Sequence, residues 1–178
     1  YPKFFVLGLL NYAVPFALFP FAEETLASGI VGVINGMTPM ATVIISQLFP
    51  DGEKTTLHRS VGVVVGFVGA AILASPSLMT GASDQVLAIG ACLLAIVCYG
   101  VTLNYARRLS QIDSATVAST SLTAAALVSV PAAFLVHGPP VITHVETWAA
   151  LAGIGLISTS FGFLVLYWLL PKVGATNM

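Results

Sequence analysis

Charge is what this sequence lacks. Of 178 residues only 7% are Asp, Glu, Lys or Arg, against 57% apolar residues. Soluble domains carry about a quarter charged residues, so this chain cannot cover a water-facing surface with ions. The composition excludes a disordered segment, a nucleic-acid binder and an ordinary cytosolic enzyme. Cysteine is scarce too. Cys92 and Cys98 lie six residues apart on one predicted helix, so they cannot pair with each other, and they lack metal-ligand spacing. His137 and His144 share a loop with only Glu146 as a further ligand, so no metal site is expected. There is no HExxH, GxSxG or P-loop sequence. No carboxylate sits inside any long apolar run, so neither an enzyme nor a buried proton relay is expected, and no cofactor. The chain opens on Tyr1 rather than Met, which reads as a piece of something longer, and no signal peptide is visible.

What is present is six uncharged runs: 4–22, 25–50, 60–83, 85–106, 114–145 and 147–171, each at least 19 residues long. A helix needs roughly 20 apolar residues to cross the hydrocarbon core. A charge at its centre costs about 2.5–3.5 kcal/mol on insertion scales. The runs therefore predict six transmembrane helices near 4–22, 27–49, 59–76, 85–106, 115–136 and 147–170, an all-α membrane protein. Breakers mark several ends: Pro50-Asp51-Gly52, Pro76, Gly138-Pro139-Pro140 and Pro171. If the first helix runs from inside to outside, all six basic residues (Lys3, Lys54, Arg59, Arg107, Arg108 and Lys172) fall on the inner side. The outer loops hold Glu23, Glu24, Asp84 and Glu146. This is the distribution that the positive-inside rule requires. Trp148 and Trp168, near the two ends of the last helix, fit the interfacial aromatic belts.

The second helix is the most patterned. At about 100° per residue, Ser28, Gly32, Asn35, Thr38, Pro39, Thr42 and Ser46 share one face, and Ile30, Val33, Ile34, Met37, Met40, Ile44 and Ile45 occupy the rest. The polar face must meet other helices or a water-filled cavity. Helix–helix adhesion and cavity lining stand level as explanations. Pro39 removes one backbone hydrogen bond and frees carbonyls near Asn35 and Gly36. The third helix carries Gly62, Gly66 and Gly69, which point to close packing. The fourth has a weaker stripe of Ala88, Cys92, Ala95, Tyr99 and Thr102. The hydroxyls of the fifth (Ser119, Thr120, Ser121, Thr123) go round the helix, and no site is read there. The sixth has Gly155, Ser158, Thr159 and Gly162 on one side, then Tyr167. In the first, Asn11 is mid-span beside Tyr12 and must find a partner.

The segment GMTPMATVIISQLFPDGEKTTLHRSVGVVVGFVGAAIL resembles the stretch that marks the EamA domain of the drug/metabolite transporter superfamily. A helix bearing a proline (Pro39) ends in a short inner loop with a glutamate (Glu53); Gly62 follows nine residues later and Gly69 seven beyond it. The segment STSFGFLVLYWLLPKVGAT resembles the matching helix of the second repeat. The resemblance implies ten helices in two five-helix repeats of opposite orientation, with both termini in the cytoplasm of a multi-pass plasma-membrane protein (the bacterial inner membrane). On that template the first helix here is the third of ten and the sixth is the eighth. Residues 1–80 then close the first repeat and 81–178 open the second. Phe16–Ser28 can be laid over Phe163–Ala175 at a shift of 147 residues, with low identity.

The resemblance implies a transporter of small metabolites, of the amino-acid or drug/metabolite efflux type, working by alternating access. Asn11, Tyr12, Asn35, Thr38, Tyr99, Ser158 and Tyr167 are the candidate substrate-binding residues, and Gly36 and Pro39 the candidate hinge. The partners expected are a small-molecule substrate and the lipid bilayer, and no nucleic acid. The oligomeric state is open, a homodimer among the options. The alternative reading is a non-transporting membrane scaffold or assembly subunit. A channel is weaker, since neither a ring of charges nor a filter-like loop is present. The orientation is directly testable. Single cysteines replacing Lys54 and Arg108 should react with an impermeant reagent from the same side of the membrane; reaction from opposite sides would contradict the six-helix reading.

Overall fold

The computed structural model describes residues 2–49, 61–66, 68–69, 71–72, 75, 83–109, 111–139 and 142–173. The described residues are helical or in turns and connections, with no strand among them. In chain order the helices are α1 (Lys3–Glu23), α2 (Ser28–Ser46), α3 (the helical residues described between 61 and 75), α4 (Ser83–Leu109), α5 (Ser114–Val136) and α6 (Val145–Val173). Five of them, all but α3, are long and apolar enough among the described residues to cross a membrane. The fold is that of an all-α membrane protein. The inner loop with Glu53, Lys54 and Arg59, and the breakers Pro50, Pro76 and Pro140, lie outside the described residues.

Local chemistry sets the helix ends. Before α5, Asp113 is the N-cap: its Oδ2 accepts from the Thr116 backbone N–H at 3.1 Å. After α5, Gly138 adopts φ +71°, a conformation that favours glycine, and Pro139 follows. The expectation of one continuous second helix is corrected by a break. Residues Ser28–Asn35 and Thr38–Ser46 are separate helical segments joined at Gly36 and Met37. Pro39 has no N–H to give to the Asn35 carbonyl four residues back. The Thr38 hydroxyl donates to that carbonyl instead, at 2.7 Å. The Met37 N–H bonds Ile34 O at 2.9 Å, a tightened turn that takes up the change of path.

Three apolar clusters build the bundle. Leu7 of α1, Ala106 and Leu109 of α4, Val117 and Ala118 of α5, and Tyr167 and Leu170 of α6 form the first. It brings the ends carrying Lys3, Arg107, Arg108 and Lys172 together. Ala22, Leu26, Val31, Ile34, Ala88 and Cys92 form the second, at the end carrying Glu23, Glu24 and Asp84. Met37, Ala41, Ile45 and Ile96 form the third, between α2 and α4. Among the described residues the basic ones thus collect at one end, where Asp113 also lies, and Glu23, Glu24 and Asp84 at the other. Arg108 stands over the Phe49 ring at 5.3 Å and the Lys172 ammonium over Trp168 at 3.1 Å, cation–π contacts suited to an interface. Large apolar side chains such as Leu48, Leu127, Leu135 and Ile157 point outward, as a lipid-facing surface requires.

Glycine permits the closest approaches. A Cβ on Gly8 would lie 2.5 Å from the Ser121 carbonyl oxygen, so α1 and α5 touch backbone to backbone there. A Cβ on Gly100 would lie 2.7 Å from Ile45 Cδ1 and 3.2 Å from the α2 backbone at Ala41 and Thr42. Gly66 of α3 abuts the Met40 side chain, while Gly62 and Gly69 face open space among the described residues. Gly100→Val should therefore destabilise by about 1–3 kcal/mol through overpacking. Gly90→Ala, on the same helix with open space around it, should be neutral or better. Unfolding of the full-length protein in detergent measures both; equal effects would contradict the α2–α4 contact.

Candidate functional site

A polar side chain inside a hydrocarbon-spanning bundle must find a partner within the bundle. Asn11 has done so. Its Nδ2 donates to the Tyr167 phenol oxygen at 3.3 Å, and its Oδ1 accepts from the Thr102 hydroxyl at 3.1 Å. The Tyr12 hydroxyl donates to the Tyr167 oxygen at 3.2 Å. Thr102 Oγ1 also lies 2.7 Å from Cys98 O, one helical turn back. Ser121 of α5 neighbours both phenols and is fully buried. Asn11, Tyr12, Thr102 and Tyr167 are buried as well. The result is one uncharged network joining α1, α4 and α6, with Ser121 of α5 beside it.

Backbone geometry aims the first two members. Leu9–Ala13 is wound as a π-helix, an i→i+5 segment inside the otherwise α-helical α1, and Asn11 and Tyr12 are its buried residues. Such widened turns shift the register of the side chains that follow and recur at functional sites. Aromatic rings surround the phenols. Tyr12 meets Phe163 edge-on at 4.4 Å and Phe16 at 6.1 Å, and Phe163 lies 6.4 Å from Tyr167. Tyr99 is half-buried, with its ring 6.0 Å from Phe19.

The candidate residues thus divide. Asn11, Tyr12 and Tyr167 come together, and Tyr99 sits one helical turn from Thr102. Asn35 and Thr38 are elsewhere, at the break in α2, where the Thr38 hydroxyl lies 3.4 Å from Asn35 Oδ1. Gly36 forms the turn and Pro39 opens the second segment. Asn35, Gly36 and Pro39 are exposed and Thr38 is half-buried. Ser158 is exposed on α6 and joins neither group. The apolar face of α2 packs on α4 through Ile34, Met37 and Ile45. The polar face is split: Thr42 and Ser46 are fully buried, while Ser28, Gly32, Asn35 and Pro39 are open.

Three participants escaped the sequence reading as site residues. Thr102 stood in the α4 stripe but was not carried forward. Ser121 was set aside because the α5 hydroxyls follow no face, yet the contact at Gly8 brings it to the network. Asn104 gave the same signal as Asn11, a lone amide in an apolar run. Its Nδ2 bonds Gly100 O at 2.8 Å and Thr42 O at 3.1 Å, clamping α4 to α2, and its buried Oδ1 has no partner among the described residues. A groove of about 550 Å³ lies between α1 and the start of α4, lined by Leu18, Phe21, Val86, Leu87 and Leu94. No candidate residue borders it.

Comparison with known proteins bears on the family of the chain. An uncharacterized transporter of the archaeon Archaeoglobus fulgidus is 25% identical to the chain over 181 residues, covering 99% of the chain and 62% of the relative. The chain thus spans less than two thirds of the length of that relative. No solved structure matches. Residues 1–75 and 86–178 match the EamA-like transporter family. The chain, a multi-pass membrane protein of long apolar helices, belongs to the EamA-like transporter family.

Proposed function

We propose that the chain forms the central part of a transporter that moves small, polar or amphipathic metabolites across the plasma membrane by alternating access. Residues 1–80 are the end of one repeat and 81–178 the start of the other. The inner face carries the basic residues. The substrate is held near the midplane between the repeats, where inverted-repeat transporters place it. Hydrogen bonds from Asn11, Tyr12, Asn35, Thr38, Tyr99, Ser158 and Tyr167, with aromatic packing, contribute to its site. Gly36 and Pro39 let α2 bend beside it.

The observation that carries this reading is the open half of the α2 stripe. Ser28, Gly32, Asn35 and Pro39 are exposed on a helix whose other residues pack or face outward. A helix serving only as scaffold packs its polar face dry, as Thr42 and Ser46 do. A broken helix with freed backbone groups is tolerated in a membrane only where it is buried in protein or lines a water-filled cavity.

Two measurements on the full-length protein check the reading. Cysteines placed along 28–39 should react with a water-soluble reagent, while those at 42 and 46 should not; a uniformly unreactive face would favour the scaffold. Asn35→Leu and Tyr99→Ala should each cut transport about fivefold or more, since one lost polar contact in the site is worth about 1–3 kcal/mol. Folded protein should remain. Unchanged flux in both would remove these residues from the site.

A further inference from the structure

The shift of 147 residues that lays Phe163 on Phe16 also lays Gly155 on Gly8, Ser158 on Asn11, Thr159 on Tyr12 and residues 156–160 on Leu9–Ala13. The structure has a π-helical segment at both places, Leu9–Ala13 in α1 and Ile154–Phe161 in α6. The two are in opposite conditions. Gly8 is pressed against the α5 backbone, and Asn11 and Tyr12 are buried. Gly155 has nothing within 4 Å of a Cβ position, Ser158 is exposed, and residues 145–161 of α6 include none that is buried. Only the stretch of α6 from 162 onward joins the core, through Tyr167 and Leu170.

Position along the helices gives this asymmetry a direction. At 1.5 Å per residue, Tyr167 and Thr102 lie about 7.5 Å from Lys172 and Arg107, and Asn11 about 12 Å from Lys3. The network therefore runs from mid-span at Asn11 and Tyr12 to the cationic half at Tyr167 and Thr102, with Leu7, Leu109, Val117 and Leu170 packed between it and the cationic end. Toward the other end the described residues of α6 include none that is buried.

We propose that the Asn11–Tyr12–Tyr167–Thr102 network is the closure of the inner, cationic end, and that the paired π-helical segments are the hinges on which it opens while the opposite end shuts. The assignment rests on the transporter reading above and adds to it which bonds must break. Tyr167 accepts from both Asn11 and Tyr12, so withdrawing α6 by one side chain releases both contacts at once. Because every member is uncharged, parting them exposes hydroxyl and amide groups that water or a polar solute satisfies, and no unpaired ion is left behind.

Cys98 reports on this closure. It is buried on α4, one turn from Thr102 on the side away from the basic end. In full-length protein carrying Cys92→Ala, in vesicles of known orientation, Cys98 should react slowly with an impermeant maleimide applied to the inner side. Tyr12→Phe and Thr102→Val should each raise that rate about 2- to 10-fold, the effect of one hydrogen bond on a two-state population, and Tyr167→Phe, which removes two, should raise it at least as much. The rate from the outer side should not rise. Ser158→Cys, with Cys98 also replaced by Ala, should react faster from the outer side than from the inner. Thr102→Val is nearly isosteric, and thermal melting identifies any variant that is merely unfolded. Unchanged inner-side rates in all three folded variants would overturn the proposal, as would Ser158→Cys reacting only from the inner side. Raised inner-side rates in a protein that moves no solute would uphold the closure and instead remove the transporter reading.

Discussion

Polar groups held inside hydrocarbon must be satisfied by one another, and this requirement organises the bundle. With almost no charge in its long helices, the chain has little electrostatic means of choosing helix partners. Dispersion between apolar faces is nearly as good with lipid as with protein. What distinguishes one arrangement from another is the few amides and phenols: Asn11 and Tyr12 meeting Tyr167 across 156 and 155 residues of sequence, and Asn104 reaching the α2 backbone at Thr42. Each of these bonds is modest, about 0.6 kcal/mol on average in measured membrane proteins and at most about 1.7. That is enough to specify a contact and small enough to let it break reversibly.

Glycine and widened turns make those bonds reachable. The hydroxyls and amides are short, so the helices that carry them must come close. Gly8 and Gly100 remove the side chains that would hold α1 from α5 and α4 from α2. The π-helical stretch at Leu9–Ala13 then rotates Asn11 and Tyr12 into the space so created. At the break in α2 the same economy appears differently: Pro39 withholds a donor, and the Thr38 hydroxyl supplies one to Asn35 O.

The helices were legible because the cost of placing a charge in lipid leaves a direct trace, thirteen ions outside six long runs. The basic residues were expected on one side for the same reason, and those described, Lys3, Arg107, Arg108 and Lys172, gather at one end of the bundle. Asn11 declared its need for a partner, but not which one. That Tyr167 answers depends on how α6 crosses α1, and a hydrophobic pattern does not encode crossing. Ser121 was illegible, since its role follows from the close approach at Gly8 rather than from any stripe on α5. The break in α2 was half legible: Pro39 predicted freed carbonyls, while the turn at Gly36 and Met37 emerged only in three dimensions. The π-helical segments have no residue signature, and the overlay at a shift of 147 residues is too low in identity to have located them.

The most direct measurement is a double-mutant cycle between α1 and α6. Asn11→Ala and Tyr167→Phe, singly and together, would be compared by the unfolding free energy of the full-length protein in a bilayer. If the network ties the two helices, the coupling between the substitutions should be about 0.5–2 kcal/mol. Substitutions that add to within about 0.3 kcal/mol would contradict it, leaving the two helices joined by packing alone.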